Sequence, residues 1–244
     1  MHDGDSLRGK VVLITGGGRR LGCATAQRLG EAGARLVLAD PEPRRARERA
    51  LALGLHDIEA LGVGLDVGDA RQCAAAVASV QARYGRLDAL INNAALDATA
   101  PLPGSAGEDW RRVLTTHLLG PLTLAKQAAT LMPVGQGGHI VNIAATAGRR
   151  SWPSASAYHA TKWGLLGLSH ALHQELRGRN IQVCALLAGA LNRPFEAAQQ
   201  GPAPRPHPLQ VADLVRRLLL QEPRAARDAA PALLVLPDSE PAWA

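Results

Sequence analysis

Short apolar runs alternate with longer stretches of helical period along the chain. Val11 to Ile14 are consecutive apolar residues with no polar alternation, the pattern of a strand buried on both faces. Similar short runs stand at Leu36 to Ala39, Val63 to Leu65, Leu87 to Ile91, Gly138 to Ala144, Ile181 to Leu187 and Ala232 to Leu236. Helical spacing fills the intervals. One helix begins at Cys23 and runs past Leu29, and a charged, exposed one spans Pro41 to Leu53 and is closed by Gly54. Asp69 caps a third that ends at Tyr84 and carries Cys73, Val77 and Val80 on one face. Longer helices are predicted over Asp109 to Leu131, Ser156 to Arg177 and Pro208 to Gln221. Pro121 falls inside the first of these, so a kink or break is expected near Gly120.

Strict alternation of strand and helix implies a parallel sheet covered by helices on both faces. The expected fold class is α/β: a single doubly wound domain over residues 1–244 with a mainly parallel, seven-stranded sheet. No repeat or linker divides the chain. Residues 192–208 hold five prolines and read as an irregular flap. Such sheets bind ligands at the carboxyl ends of their strands, near the point where strand order reverses. Thr15, Asp40, Asp66, Asn92 and Ala145 stand at those ends.

Composition narrows the function classes. The chain has 244 residues, 47% of them hydrophobic, enough for one substantial core. It has no apolar run of about eighteen residues, so no membrane-spanning helix is expected. The start, Met1 to Ser6, has neither the basic region nor the apolar core of a signal peptide. Cys23, Cys73 and Cys184 are odd in number and widely spaced, with no metal-ligand pattern. They read as small buried residues of a reduced, cytoplasmic protein without a metal site. The formal net charge is +6, and lysine occupies only positions 10, 126 and 162 among 27 basic residues. The arginines are scattered through helical stretches with few aromatics beside them. Solvated faces explain this pattern better than a nucleic-acid surface.

The most informative stretch is the first βα turn, Thr15-Gly16-Gly17-Gly18-Arg19-Arg20-Leu21-Gly22. Three consecutive glycines let the chain turn tightly with no side chain in the way. The helix that follows directs backbone N–H groups and the positive end of its dipole toward an anion. Asp40 closes the second strand eighteen residues after Gly22, where a dinucleotide-binding unit places a carboxylate for ribose hydroxyls. Tyr158 and Lys162 stand four apart within a predicted helix, hence on one face. A free phenol is too weak an acid to trade protons readily at neutral pH, and a nearby ammonium stabilises its phenolate.

The pieces Thr15-Gly16-x-x-x-Arg20-x-Gly22, Asp66-Val67, Asn92-Asn93-Ala94-Ala95 and Tyr158-His-Ala-Thr-Lys162 occur in the order and at the spacing of the short-chain dehydrogenases/reductases. The chain resembles that family from about residue 7 to its last strand. The resemblance implies a Rossmann-type fold and an NAD(P)-dependent oxidoreductase acting on a carbonyl or alcohol of a small organic substrate. It implies that the turn carrying Gly16, Gly18, Arg19, Arg20 and Leu21 holds the pyrophosphate. Asp66 and Val67 would flank the adenine, and Asn93, Ala94 and Ala95 would support the sheet centre and touch the adenosine ribose. Tyr158 would be the general acid/base, with Lys162 lowering its pKa and holding the nicotinamide ribose. Gly189 and Leu191, past the sixth strand, would line the nicotinamide end.

This chain departs from the family pattern at the substrate end. The serine expected thirteen residues before the tyrosine is Ala145, which donates no hydrogen bond to a substrate oxygen. Losing one such donor costs about 10²–10³ in rate. The expected helix asparagine is His117, either a participant that positions water or acts itself, or a helix histidine bonded to a neighbour. Arg193 replaces a nicotinamide-contacting threonine. These changes leave two functional classes in play: the oxidoreductase, and a non-redox, nucleotide-sensing or partner-binding relative on the same scaffold. Asp40 favours NAD, while Arg19 and Arg20 would accommodate the phosphate of NADP. The resemblance also implies pairing between subunits through the two long helices, giving a homodimer or homotetramer; Leu118, Leu119, Leu122, Leu165, Leu166 and Leu168 are candidates for that face.

Overall fold

The structure, a computed structural model, describes residues 6–96, 107–145, 154–188 and 207–221, and the backbone of 232–235. Seven parallel strands form one sheet: β1 Val11–Thr15, β2 Arg35–Asp40, β3 Ala60–Gly64, β4 Ala89–Asn92, β5 Gly138–Ala145, β6 Ile181–Ala188 and β7 Ala232–Val235. Their order is β3-β2-β1-β4-β5-β6-β7, and neighbours pair in parallel throughout. The winding reverses between β1 and β4, which opens a crevice above their carboxyl ends. The doubly wound expectation therefore holds.

Seven α-helices connect the strands among the described residues: α1 Arg20–Glu31, α2 Pro43–Gly54, α3 Ala70–Tyr84, α4 Gly107–Leu114, α5 Gly120–Leu131, α6 Ser156–Leu176 and α7 Pro208–Leu220. The strands bury both faces. Val12, Ile14, Leu36, Leu38, Val141 and Cys184 join Leu29, Val211 and Val215 of α1 and α7 on one side. Val11, Leu13, Val37, Leu90, Ile140 and Val183 join Val80, Leu124, Ala128 and Leu172 of α3, α5 and α6 on the other. This two-sided burial explains why the strands read as continuous apolar runs.

Helix ends follow local chemistry. Asp69 accepts hydrogen bonds from the Arg71 and Gln72 amides, and Gly85 ends α3 in the left-handed region at φ +71. Pro208 opens α7 behind a capping box made by His207 and Gln210.

Four details differ from the sequence expectation. The third strand is Ala60–Gly64, so Leu65 lies beyond it and leads into Asp66. Gly54 is the last residue of α2; the left-handed turn after it is taken by Asp57, at φ +58. Cys73 and Cys184 are buried, but Cys23 is only half-buried. The helix expected over 109–131 is divided. Thr115–Leu119 form one π turn, closed by a bond from the Gly120 amide to the Thr115 carbonyl, and α5 then starts with Pro121 in its first turn. Proline supplies no N–H for the carbonyl four residues back, so the α pattern cannot run through this point. Gly120 also has to be small, because a Cβ there would stand 2.8 Å from the Val67 carbonyl oxygen.

No helix among the described residues is long and apolar enough to cross a membrane.

Candidate active site

The β1–α1 turn is shaped by close backbone approach. Gly16 has φ +63, and a Cβ there would stand 3.0 Å from Asn93 Nδ2. A Cβ on Gly22 would run into the Gly16 carbonyl and stand 2.9 Å from Gly17 Cα. The first turn of α1 therefore lies directly against the loop it follows. The helix has no side-chain cap, and Arg19 and Arg20 are exposed at its start. Its first N–H groups thus remain for a ligand to satisfy. Leu21 is buried behind them.

Residues after β4 fasten this turn. The Asn93 side-chain amide donates to the carbonyls of Thr15 (3.0 Å) and Gly16 (3.2 Å). Thr15 Oγ1 accepts from the Asn93 and Ala94 amides at 2.9 and 3.0 Å. Ala95 follows, half-buried, on the same loop. Asn92 donates to Asn142 Oδ1 at 2.8 Å, and Asn142 donates to Ser169 Oγ on α6 at 2.8 Å. This buried polar chain fixes α6 over the carboxyl ends of β4 and β5.

Asp40 is fully buried at the end of β2. Its Oδ1 accepts from the Glu42 amide at 3.0 Å and pairs with Arg45 at 3.3 Å. Its Oδ2 has no hydrogen-bond partner and lies 3.0 Å from the point where a Cβ of Gly18 would stand. An unsatisfied buried carboxylate oxygen facing a glycine turn is an acceptor awaiting a donor. Together with the glycine cradle, it fits the adenosine half of a dinucleotide. Asp66 Oδ1 accepts from the Gly68 amide at 2.9 Å, which leaves its carboxylate at the surface beside buried Val67.

At the other end of the crevice, α6 presents Tyr158 and Lys162. Lys162 is buried; its Nζ donates to the Ile143 carbonyl at 3.3 Å and sits 5.5 Å from the centre of the Tyr158 ring. His117, in the π turn, meets the Tyr158 ring edge-on at 5.5 Å. Both His117 nitrogens are engaged. Nε2 accepts from the Leu96 amide at 2.8 Å, so Nδ1 carries the proton and faces Thr161 Oγ1 at 3.1 Å. Thr161 in turn donates to the Tyr158 carbonyl at 2.7 Å. Burial first, and the Lys162 charge second, hold the His117 pKa well below the ordinary 6.5, so the ring is neutral.

Tyr158, Lys162 and His117 are thus brought together, and Gly16, Gly18, Asp40, Asn93 and Ala94 form the facing group. Gly189, Leu191, Arg193, most of the 192–208 flap and the loop at 97–106 lie outside the described residues. Two participants carried sequence signals that went unread. Thr161 stands at the helical i+3 position from Tyr158. Arg45 falls in the first turn of α2, which begins three residues after Asp40.

Comparison with known proteins identifies the family and the fold. The family model described as short chain dehydrogenase matches residues 10–201. Galactitol 2-dehydrogenase of Agrobacterium fabrum is 35% identical over 187 residues, 76% of this chain and 72% of that protein. A metagenomic short-chain oxidoreductase crystallised with NADP superposes with a TM-score of 0.82 at 30% identity, covering 95% of this chain and 98% of that one. A gluconate 5-dehydrogenase from Burkholderia cenocepacia, in complex with NADP and tartrate, gives a TM-score of 0.85 at 26% identity over 96% of both chains.

Proposed function

The chain belongs to the short-chain dehydrogenase family of NAD(P)-dependent oxidoreductases, and on that premise we propose that Tyr158 is its general acid/base and Lys162 the charge that makes it one. The observation that carries this reading is the buried Lys162 ammonium, 5.5 Å from the Tyr158 ring, at the carboxyl edge of the sheet. A nicotinamide bound in the crevice supplies or accepts the hydride. In the oxidative direction the Tyr158 phenolate takes the hydroxyl proton of the substrate; in the reductive direction the phenol returns it. Lys162 favours the phenolate by charge and keeps its own place through the Ile143 carbonyl. His117 supports Tyr158 through ring contact and Thr161 rather than by moving a proton, since both its nitrogens are occupied.

Asp40 favours the 2′-hydroxyl of NAD(H), because its free Oδ2 accepts a donor and repels a phosphate. Gly16, Gly18, Arg19, Arg20 and Leu21 would hold the pyrophosphate, Asp66 and Val67 the adenine, Asn93, Ala94 and Ala95 the ribose side, and Gly189 and Leu191 the nicotinamide. Polyols and sugar acids, as named for the galactitol and gluconate relatives, are the first substrates to assay. The absence of a disulfide among the described residues is consistent with a cytoplasmic setting. Exposed Leu114, Leu119, Leu122 and Trp163, on elements packed against one another, support a homodimer or homotetramer.

The test is an alcohol and carbonyl panel with Tyr158→Phe as control. Loss of turnover with retained nucleotide binding supports the assignment; turnover unaffected by the change refutes it.

A further inference from the structure

Arg45 lies where the adenosine half of the cofactor has to enter, and this bears on which dinucleotide the protein takes. Its side chain is two-fifths exposed, and its guanidinium bridges two carboxylates, Asp40 Oδ1 at 3.3 Å and Glu42. Its stem runs back over the glycine turn: Cγ and Cδ stand 2.7 and 2.8 Å from the position of a Cβ on Gly18. Asp40 Oδ2, buried and unpartnered, is 3.0 Å from that same position. Three groups from β2, α2 and the turn therefore converge on one small volume. The Arg45 stem and Asp40 Oδ2 thus crowd the same side of Gly18.

We propose that Arg45 is a resident plug of the adenosine-ribose position and the residue that decides how well NADP(H) is accepted beside Asp40. The proposal rests on the reading that the β1–α1 turn holds the dinucleotide. Either nucleotide has to move the stem aside. For NAD(H), the ribose hydroxyl then satisfies Asp40 Oδ2, and Arg45 keeps only Glu42. For NADP(H), the 2′-phosphate arrives next to a buried carboxylate, which repels it. Arg45, already tethered between Asp40 and Glu42, is a cation held beside Asp40 that can stand between the two anions, and a guanidinium matches phosphate geometry. Arg19 and Arg20, exposed at the start of α1, make no contact of this kind with Asp40.

Equilibrium titration of NADH and of NADPH, followed by nucleotide fluorescence, tests this in the wild type, Arg45→Ala, Arg45→Lys and Arg44→Ala. Arg44 pairs with Glu48 on the exposed side of α2 and serves as the charge control. Arg45→Ala is expected to weaken NADPH by about tenfold or more while NADH binds as well as before or more tightly. Arg45→Lys keeps most of the NADPH affinity, and Arg44→Ala changes neither. Equal weakening of both nucleotides, or no change for NADPH, overturns the role of Arg45 alone. A wild-type protein that binds neither nucleotide overturns the dinucleotide site and the Arg45 proposal together. Melting curves without nucleotide confirm that each variant is folded.

Discussion

Replacing Gly22 by alanine tests whether the β1–α1 turn is the phosphate cradle. The new Cβ would run into the Gly16 carbonyl oxygen and stand 2.9 Å from both the Gly16 carbonyl carbon and Gly17 Cα. All of these are backbone atoms, so no rotamer change relieves the overlap. Ordinary carbon–carbon contact begins at about 3.5 Å, and the turn must therefore retreat by at least roughly 0.6 Å. Overpacking of this kind costs about 1–3 kcal/mol in stability, which lowers the melting temperature by roughly 2–12 °C at this chain length. Binding suffers more directly, because the N–H groups of the turn are re-aimed. Misplacement approaching 1 Å costs up to about a hundredfold where several groups converge on one ligand. Gly30→Ala, on the same helix, is the internal control. Its Cβ would meet the Ile58 side chain instead, in the core behind α1. Both variants should melt earlier, but only Gly22→Ala should raise the Kd for NADH and NADPH, by about tenfold or more on the same arithmetic. Titration after circular dichroism has confirmed folding is the assay. Wild-type affinity in Gly22→Ala, or equal weakening in Gly30→Ala, would refute the cradle.

Three further outcomes are expected. Ala145→Ser should raise kcat by about tenfold or more if the missing donor limits the rate, since such a donor is worth about 10²–10³ elsewhere; unchanged kcat would show that another group already serves the substrate oxygen. Burial, and then the Lys10 charge, push His139 from 6.5 down to about 4. The unfolded chain therefore binds the proton first, and stability is full above pH 6.5 and falls as pH drops toward 4, by up to about 3 kcal/mol. Urea midpoints at pH 7.5 and 5 should show this slope in the wild type and a shallower one in His139→Gln; identical slopes would remove His139 as the cause. Light scattering should give a mass above 25.6 kDa, and Trp163→Glu with Leu119→Glu should reduce it to the monomer; a wild-type monomer contradicts the assembly.

The sheet was legible because both faces of the central strands are buried, so stretches such as Val11–Ile14 and Val183–Ala188 carry an unbroken apolar signal. The glycine turn was legible because close backbone approach leaves glycine as the fitting residue at Gly16 and Gly22. Other features were hidden by the limits of local pattern. Pro121 announced a disruption but not its form, which is a π turn closed by the Gly120 amide on the Thr115 carbonyl, with Gly120 kept small by Val67, far away in sequence. Asp57 takes the left-handed turn after α2 although Gly54 stood ready, because three-residue turn bonds from the His56 and Asp57 amides to Leu53 and Gly54 continue past the helix end. Arg45 read as one arginine among many on an exposed helix. Only the register of α2 against β2 sets it over Gly18 and Asp40.

His117 shows how a substitution in a motif can be absorbed by its surroundings. Imidazole offers one acceptor and one donor at opposite sides of a ring, and here they span the Leu96 amide and Thr161 Oγ1. That bridge needs the neutral form. A proton on Nε2 would set one N–H donor against another at Leu96. Burial keeps the ring neutral, and the Lys162 ammonium pushes in the same direction. The charge proposed to favour the Tyr158 phenolate thus also holds His117 in the only state that can make both of its hydrogen bonds. Histidine at this position thus fits the roles proposed for Tyr158 and Lys162, and because burial is the larger cause of its neutrality, the bridge is expected to survive removal of the Lys162 charge.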